Sequence, residues 1–287
     1  MQKDNTMKNN TPTLIQNQRF GEERALYAAR NLHVLGCAFD GEEDGESALK
    51  ESAHVTVENT LCNLRYPFWH DDDLTLIGCS MTELCRASLW YSRNVSIRDC
   101  KMHGTKALRE CESVAITGSD ILSAEFGWST RGVSLCDSVA QGEYFMLRAE
   151  DISMKKVQFK GKYSFQYVKN AVIEDCELDT KDAFWHAENV TVRNCTVKGE
   201  YLAWYSKDLT LINCRIIGTQ PLCYCKGLKL IDCEMIDTDL AFERSEVEAT
   251  VTTPIVSIKN AYAGYIKAPA AELIRDDENA NCVITLG

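Results

Sequence analysis

A period of 19 residues constrains the fold of this chain more than any other feature of its sequence. A phrase of the form apolar–x–apolar–x–Asn/Asp–Cys recurs, and the residues that end it stand 19 apart over seven steps: Cys100, Ser119, Ser138, Val157, Cys176, Cys195, Cys214 and Cys233. Earlier copies with small insertions end at Cys37, Thr60 and Cys79. A fixed period of this length is typical of a repeat protein whose units stack on one another.

Within one repeat the apolar residues alternate with period two, which indicates β-strands. Val190 and Val192 precede Cys195, and Val197 follows it before Gly199 ends the repeat. Asn or Asp recurs at one predicted corner, and glycine recurs at another, at Gly142, Gly161, Gly199 and Gly218. Each repeat is therefore predicted to form two or three short strands joined by tight corners.

A unit of 19 residues cannot bury its own apolar face, so neighbouring units must stack through parallel strand pairing at about 4.8 Å. The sequence therefore predicts an all-β protein, a single-stranded parallel β-helix (a solenoid) of about twelve turns, and the crossover preference favours the right-handed form. The predicted solenoid spans residues 20–268. Residues 1–19 are expected to form an N-terminal tail or cap, and residues 269–287 a C-terminal cap.

Composition excludes several classes of function. The formal net charge of −11 and the lack of a basic run argue against nucleic acid as a partner. No membrane partner is expected, because no window resembles a signal sequence or a membrane span, and a cytoplasmic location is the expectation. The 14 cysteines lack paired CxxC spacing, so we expect an interior ladder of free thiols, with no metal and no cofactor.

A polar and aromatic face is predicted in the second half of each repeat. Counted from the residue that ends the phrase, the sixth position holds Lys106, Glu125, Tyr144, Tyr163, Asp182, Tyr201, Gln220 and Asp239. The tenth position holds Glu110, Ser129, Arg148, Tyr167, His186, Tyr205, Tyr224 and Glu243. We expect both columns to face outward, and the seventh and ninth, which include Phe126, Trp128, Trp185 and Trp204, to face the core. An apolar eighth position, with Leu108, Phe165 and Phe184, favours the opposite assignment.

Aromatic planes beside acids and amides suit sugar binding, although stacked aromatic residues also stabilise parallel strands. The candidate catalytic residues are Asp182, His186, Glu125 and Asp239. The candidate substrate-binding residues are Tyr163, Tyr167, Tyr201, Tyr205, Arg148, Glu243 and Gln220. Asp182 lies three turns from Glu125 and from Asp239, about 14 Å, whereas a glycosidase needs two carboxyl groups at roughly 5–9.5 Å. Whether the protein is an enzyme stays open.

Two acidic stretches have a simpler interpretation. The run Asp71–Asp73 is predicted to be a solvated corner, since a calcium site needs more oxygen ligands than this run offers. The sequences Gly142–Glu143 and Gly199–Glu200 recur at the glycine corner, which indicates turn chemistry first and makes Glu143 and Glu200 possible rim ligands.

Several phrases resemble a bacterial family classed as a domain of unknown function within the pectin-lyase-like superfamily of right-handed parallel β-helices. They include GEERALYAARN, PFWH, SLWYSRN, KDAFWHAENVTVRNC, GEYLAWYSKDLTLINC and DTDLAFERSEV, and they cover the chain from Phe20 onward. The resemblance implies the fold and assigns no activity. The arginine-rich signature of the lyases in that superfamily is missing, so none of their residues is carried over.

Two functions therefore remain as hypotheses. One is a protein that binds or acts on carbohydrate, as a lyase or glycoside hydrolase, through the Tyr/Asp/His face, with an oligosaccharide or other small molecule as its ligand. The other is a non-catalytic binding or assembly scaffold whose aromatic face contacts another protein or a second copy of the chain as a homo-oligomer.

Overall fold

The computed structural model describes residues 11–41 and 45–287. The first ten residues of the tail or cap predicted over residues 1–19 therefore lie outside the described residues. The chain forms a parallel β-solenoid, and each strand pairs in parallel with its counterparts in the neighbouring turns. A long strand in each turn belongs to one continuous sheet: Thr13–Gln16, Arg30–Leu35, Ala53–Glu58, Asp72–Ile77, Arg93–Arg98, Glu112–Thr117, Arg131–Cys136, Glu150–Lys155, Lys169–Glu174, Glu188–Arg193, Lys207–Ile212, Leu228–Ile236, Glu246–Val251, Ala263–Ala268 and Val283–Leu286.

A shorter strand follows across one corner: Arg19–Phe20, Ala38–Phe39, Leu61–Cys62, Ser80–Met81, Lys101–His103, Asp120–Leu122, Val139–Gly142, Gln158–Gly161, Glu177–Asp179, Thr196–Lys198 and Arg215–Ile217. A third side carries brief strand pairs at Phe68–Trp69, Leu89–Trp90, Leu108–Arg109, Glu125–Phe126, Tyr144–Phe145, Ile255–Lys259 and Ala271–Ile274. In the described part of the chain, the one helical element is the short 3₁₀ turn Glu83–Cys85.

The predicted register is confirmed. Glu177 pairs with Thr196, which pairs with Arg215, and the cysteines that precede these residues follow one another in adjacent turns. The described residues form about 14 turns, so the predicted number of about twelve was too low. Thr13–Gln16 and Val283–Leu286 both belong to the long-strand sheet. The ladder therefore extends beyond both expected boundaries, at residues 20 and 268, because short strands with irregular spacing carry little periodic signal.

The cysteine ladder is interior, as predicted. Cys100, Cys176, Cys195, Cys214 and Cys233 are all at most 2% exposed. The Sγ of Cys195 accepts a hydrogen bond from the backbone N–H of Cys176 at 3.3 Å, and the hydroxyl of Ser119 does the same for Cys100 at 3.2 Å. In several turns this column therefore satisfies one buried backbone donor.

A serine hydroxyl can accept the same backbone hydrogen bond as the Cys195 Sγ, so Cys195→Ser should leave the free energy of unfolding nearly unchanged. Cys195→Ala should lower the free energy of unfolding by about 1–3 kcal/mol, since the N–H of Cys176 loses its partner in a buried site. Urea unfolding of the two variants measures the difference. Equal losses in both variants would show that packing around the sulfur, and not the hydrogen bond, is what the ladder supplies.

Charges of alternating sign run along the first residue of the long strands. The residues that pair there in successive turns are Asp72, Arg93, Glu112, Arg131, Glu150, Lys169, Glu188 and Lys207. From Arg93 to Glu188 each charge thus has the opposite charge on both neighbouring turns, as in the pair Arg93–Asp72 at 3.3 Å, and the alternation ends where Lys207 pairs with Lys226. Like charges directly opposite would destabilise the pairing, so this pattern supports the observed register.

The second half of the repeat departs from the predicted strand geometry. Between the glycine corner and the next long strand, alternate residues take positive φ, for example Asp182 (51°), Phe184 (59°) and His186 (54°). A chain of this kind is more contracted than a strand and turns successive side chains differently. The seventh and eighth positions are both buried, as Ala183 and Phe184 show, each at 1% exposure.

Two predicted orientations are therefore wrong. The sixth position does not face outward at Asp182, which is buried, and the ninth does not face the core, because Trp185 and Trp204 are half-buried at the surface. The tenth position faces outward as expected, with Tyr167 at 46% and Tyr205 at 45% exposure. The alternation used to assign these positions holds for strands, and this segment is not one.

Candidate functional site

An aromatic column occupies the tenth position over four consecutive turns. The rings of Tyr167, His186, Tyr205 and Tyr224 stack at centroid distances of 4.8, 5.0 and 4.9 Å, within 9–12° of parallel. The guanidinium of Arg148 lies over the free face of Tyr167, 5.9 Å from its centroid. Sequence reasoning placed all five residues in one column from their period alone.

The geometry of the column limits what it can bind. Rings stacked nearly parallel at about 5 Å cover one another's faces and present only their edges to solvent. A sugar that stacks its C–H patch on an aromatic face has no such face here except at the ends of the column. Ring stacking between neighbouring turns, the alternative interpretation for these tyrosines, is what the geometry shows.

The predicted tyrosines of the sixth position do not join this column. Tyr163 stacks on Tyr144 at 5.0 Å. Tyr201 packs edge-on against Trp204 at 5.4 Å, and Lys181 lies over its ring. Both tyrosines are half-buried. They support the wall of the solenoid as much as they face solvent.

The candidate catalytic residues are dispersed. Asp182 does not face outward as predicted, since it is only 7% exposed; burial raises the pKa of its carboxyl group, and Lys181 offsets part of this. Glu125 is occupied by Arg109 at 3.4 Å and Lys106 at 3.7 Å. In the described residues, no hydrogen bond joins Asp182 to His186. The roles assigned to these residues stay predictions.

An extra residue in the turn after Cys233 displaces two further candidates. The N–H of Gln220, at the sixth position, donates to the carbonyl of Asp239, as the N–H of Asp182 donates to that of Glu200 at the fifth. Asp239 therefore occupies the fifth position and not the sixth. By the same shift Glu243 occupies the ninth, where it pairs with Lys259 at 3.1 Å. Gln220 keeps the predicted position, and its carbonyl oxygen accepts the indole N–H of Trp204.

Arg109 holds an aromatic cluster together further along the ninth position. Its guanidinium lies between the rings of Trp90 and Trp128, 4.9 and 4.8 Å from their centroids. The same guanidinium also forms ion pairs with Glu110 and Glu125, so the charges of these three side chains are paired within the protein. The cluster is a packing feature and offers no free charge to a ligand.

A concave trough lies at the glycine corner, where sequence reasoning anticipated only turn chemistry and rim ligands. Its volume is about 680 Å³, within the usual range for ligand sites. Residues of the fourth position form its floor, at Gly104, Ser123, Gly142 and Gly161. Side chains of the third and fifth positions form its walls: Leu122, Gln141, Lys160 and Asp179 on one side, and Thr105, Ala124, Glu143 and Lys162 on the other. Glu83 lines the trough on one further turn, so six successive turns contribute and the trough is about 24 Å long.

At Gly142 and Gly161 the floor requires glycine, because the neighbouring turn leaves no room for a Cβ. A Cβ on Gly142 would overlap the carbonyl oxygen of Ser123, and one on Gly161 would overlap that of Gly142. The recurring glycine seen in the sequence is the signal of this trough. Among the predicted rim ligands, Glu143 lines the trough, whereas Glu200 lies beyond it and pairs with Lys181 at 3.0 Å.

The trough walls carry charges that the protein leaves unpaired. Within the described residues, Lys160, Lys162, Glu143 and Asp179 form no ion pair and no side-chain hydrogen bond. The lysine at the equivalent position of the next turn, Lys181, is in contrast paired with Glu200. Positively charged hydrogen-bond donors and negatively charged hydrogen-bond acceptors are thus both available to a ligand along the trough.

The sequence predicted that Asp71 lies in a solvated corner, and this prediction is wrong for Asp71. It is 1% exposed and points into the solenoid at the eleventh position, where other turns place Ser92, Thr130 or Ser206. One carboxyl oxygen accepts the N–H of Ser52 at 2.9 Å, and the other finds no partner in the described residues. Burial raises its pKa to about 8.

Neither a metal-binding cluster nor a membrane-spanning helix is present in the described residues. Over residues 11–41 and 45–287, no group of three or more His, Cys, Asp or Glu side chains is arranged to hold a metal ion. In the same ranges, no helix has the length and apolar character needed to cross a bilayer.

Comparison with known proteins finds one matching family and several distant solved structures. The model of a family described as "Protein of unknown function (DUF3737)" matches residues 13–285. No curated protein matches the chain. The A-module of mannuronan C-5 epimerase AlgE6 from Azotobacter vinelandii is 10% identical, with a TM-score of 0.44, over 96% of this chain and 88% of that one. The surface adhesin PfbA of Streptococcus pneumoniae is 8% identical, with a TM-score of 0.37, over 85% and 82%. At these identities the likeness concerns the fold alone.

Proposed function

The chain belongs to the DUF3737 family, as the resemblance in its sequence implied, and we propose that it binds an oligosaccharide along the trough at the glycine corner. The observation that carries this proposal is the trough itself. It is concave, extends over six turns and is lined by unpaired groups that both donate and accept hydrogen bonds. The proposal concerns binding through this trough and replaces the aromatic column as the sugar-binding surface.

The shape of the trough favours a chain-like ligand. At about 24 Å it is longer than one monosaccharide, and it follows the solenoid axis, so an extended polymer segment fits along it. Hydroxyl groups donate and accept, so sugars match walls that offer an amide at Gln141, acids at Glu143 and Asp179 and bases at Lys160 and Lys162. Leu122 and Ala124 add an apolar stretch at one end.

Binding is proposed here without a reaction. The two carboxyl groups whose pKa is raised by burial, Asp71 and Asp182, both lie outside the trough lining. Raised carboxyl pKa values mark general acids in many hydrolases, and here they mark interior positions. The alternative function, a scaffold that contacts protein through the aromatic column, stays a prediction.

Binding of neutral hexamers of glucose, galactose and mannose, measured by isothermal titration calorimetry, tests the proposal. Gln141→Ala combined with Glu143→Ala should weaken binding by about tenfold or more, because each side chain supplies a hydrogen bond in a partly desolvated groove. Glu200→Ala is the matched control, since Glu200 holds the same position in the repeat as Glu143 and lies outside the trough. Binding that survives the double substitution would place the ligand elsewhere.

A further inference from the structure

Two lysines share one turn of the trough. Lys160 and Lys162 stand on either side of Gly161, and all three residues line the groove. Both side chains are exposed, and within the described residues neither forms an ion pair or donates a hydrogen bond. Two ammonium groups beside a backbone floor that lacks a side chain form a site in which an anion can approach both.

Each neighbouring turn contributes one acid to the trough lining. Lys160 pairs in register with Gln141 on the preceding turn and with Asp179 on the following one. Glu143 precedes Lys162 by one turn on the other wall. An anionic group over Gly161 is therefore attracted by two lysines, whereas anionic groups about 5 Å further along the trough in either direction approach Glu143 or Asp179.

We infer that the trough selects an oligosaccharide in which one anionic residue is flanked by neutral residues. The inference rests on the proposed function and specifies the ligand class for the same site. A uniformly charged polymer is disfavoured because its neighbouring charges face the acids, and because the protein carries a net charge of −11. Neutral sugar units beside the anion meet Glu143, Asp179 and Gln141 through their hydroxyl groups.

The test compares hexamers of equal length on each of the three backbones. The probes are the neutral hexamer, a hexamer with one internal carboxylated residue, the same hexamer with one internal sulfate, and a hexamer carboxylated on every residue. We expect one of the singly charged forms to bind at least tenfold more tightly than the neutral and the fully carboxylated hexamers at low salt. The carboxylate and sulfate arms identify the source of the anion.

Substitutions locate the effect. Lys160→Ala combined with Lys162→Ala should remove the advantage of the singly charged hexamer, so that the ratio of its affinity to that of the neutral hexamer falls from tenfold or more to about one. Lys198→Ala is the matched control, because Lys198 holds the same position in the repeat as Lys160, two turns further on and outside the trough. The advantage should also shrink as salt concentration rises.

Each outcome bears on one proposal. Equal binding of neutral and singly charged hexamers, with loss of both in the Gln141/Glu143 double variant, overturns the inference about charge and leaves oligosaccharide binding in place. Tightest binding of the fully carboxylated hexamer overturns the inference as well. Failure of every hexamer to bind overturns both the inference and the proposed function.

Discussion

Replacing Asp71 by asparagine should stabilise the protein more at pH 8 than at pH 5.5. The carboxyl group of Asp71 is buried, and its pKa rises from an ordinary value of 3.8 to about 8 in the folded chain. Between these two values the folded protein holds a proton that the unfolded chain has released. The free energy of unfolding therefore falls as pH rises, by about 1.4 kcal/mol for each pH unit from this group alone.

The amide introduced by Asp71→Asn keeps a carbonyl oxygen that can accept the Ser52 N–H, but it does not titrate. The difference in unfolding free energy between Asp71→Asn and the natural protein should thus grow by about 3 kcal/mol from pH 5.5 to 8, while the contributions of all other groups cancel. Urea unfolding at several pH values measures it. Asp72→Asn, at the more exposed neighbouring position, is the control for introducing an amide. A constant difference for Asp71→Asn would contradict a buried neutral carboxyl group.

Gly161→Ala should lower the free energy of unfolding by about 3–5 kcal/mol. The added Cβ would overlap the carbonyl oxygen of Gly142 and press on the ring of Phe159, so the backbone of the trough floor must shift against its parallel neighbours. Urea unfolding, together with near-ultraviolet circular dichroism of the folded variant, measures the effect.

Gly132→Ala provides the matched control. Gly132 has positive φ (65°), but the closest atom to its Cβ would be 3.6 Å away, so only backbone strain of about 1–2 kcal/mol is expected. If the two variants lost the same stability, the cost would lie in glycine's backbone freedom in general and not in the close approach of chains beneath the trough. A Gly161→Ala variant that folds should also lose binding of the hexamers, since the trough floor around residue 161 must shift to relieve the overlap.

Fold and register could be predicted because they rest on a repeated local rule. Val190, Val192, Cys195 and Val197 alternate as a strand requires, and their copies 19 residues on must pair with them to be buried. The resemblance to a family of unknown function is confirmed by the match over residues 13–285. The number of turns and the two ends of the solenoid were harder to predict, because the terminal strands Thr13–Gln16 and Val283–Leu286 lack the full apolar–x–apolar–x–Asn/Asp–Cys phrase.

The predictions of which side chains face outward were wrong in the segment where the residues no longer alternate as in a strand. Asp182, expected outside, is buried, and Trp185, expected inside, is half-exposed. Both lie in the segment whose alternate residues take positive φ, which the pattern of polar and apolar residues does not reveal. Asp239 and Glu243 were displaced by one inserted residue, since a constant count cannot detect where a turn gains length.

By itself the sequence determined that this chain winds into stacked 19-residue turns with a thiol column inside and glycine at one corner, because periodicity and burial of apolar residues leave no other arrangement. Tertiary structure alone decided that the tyrosines cover one another's faces, that Asp71 is interior, and that the glycine corner opens into a trough with Lys160 and Lys162 unpaired. These features depend on how side chains of neighbouring turns meet in space. A one-dimensional pattern gives the turn on which each residue lies but not the direction in which its side chain points.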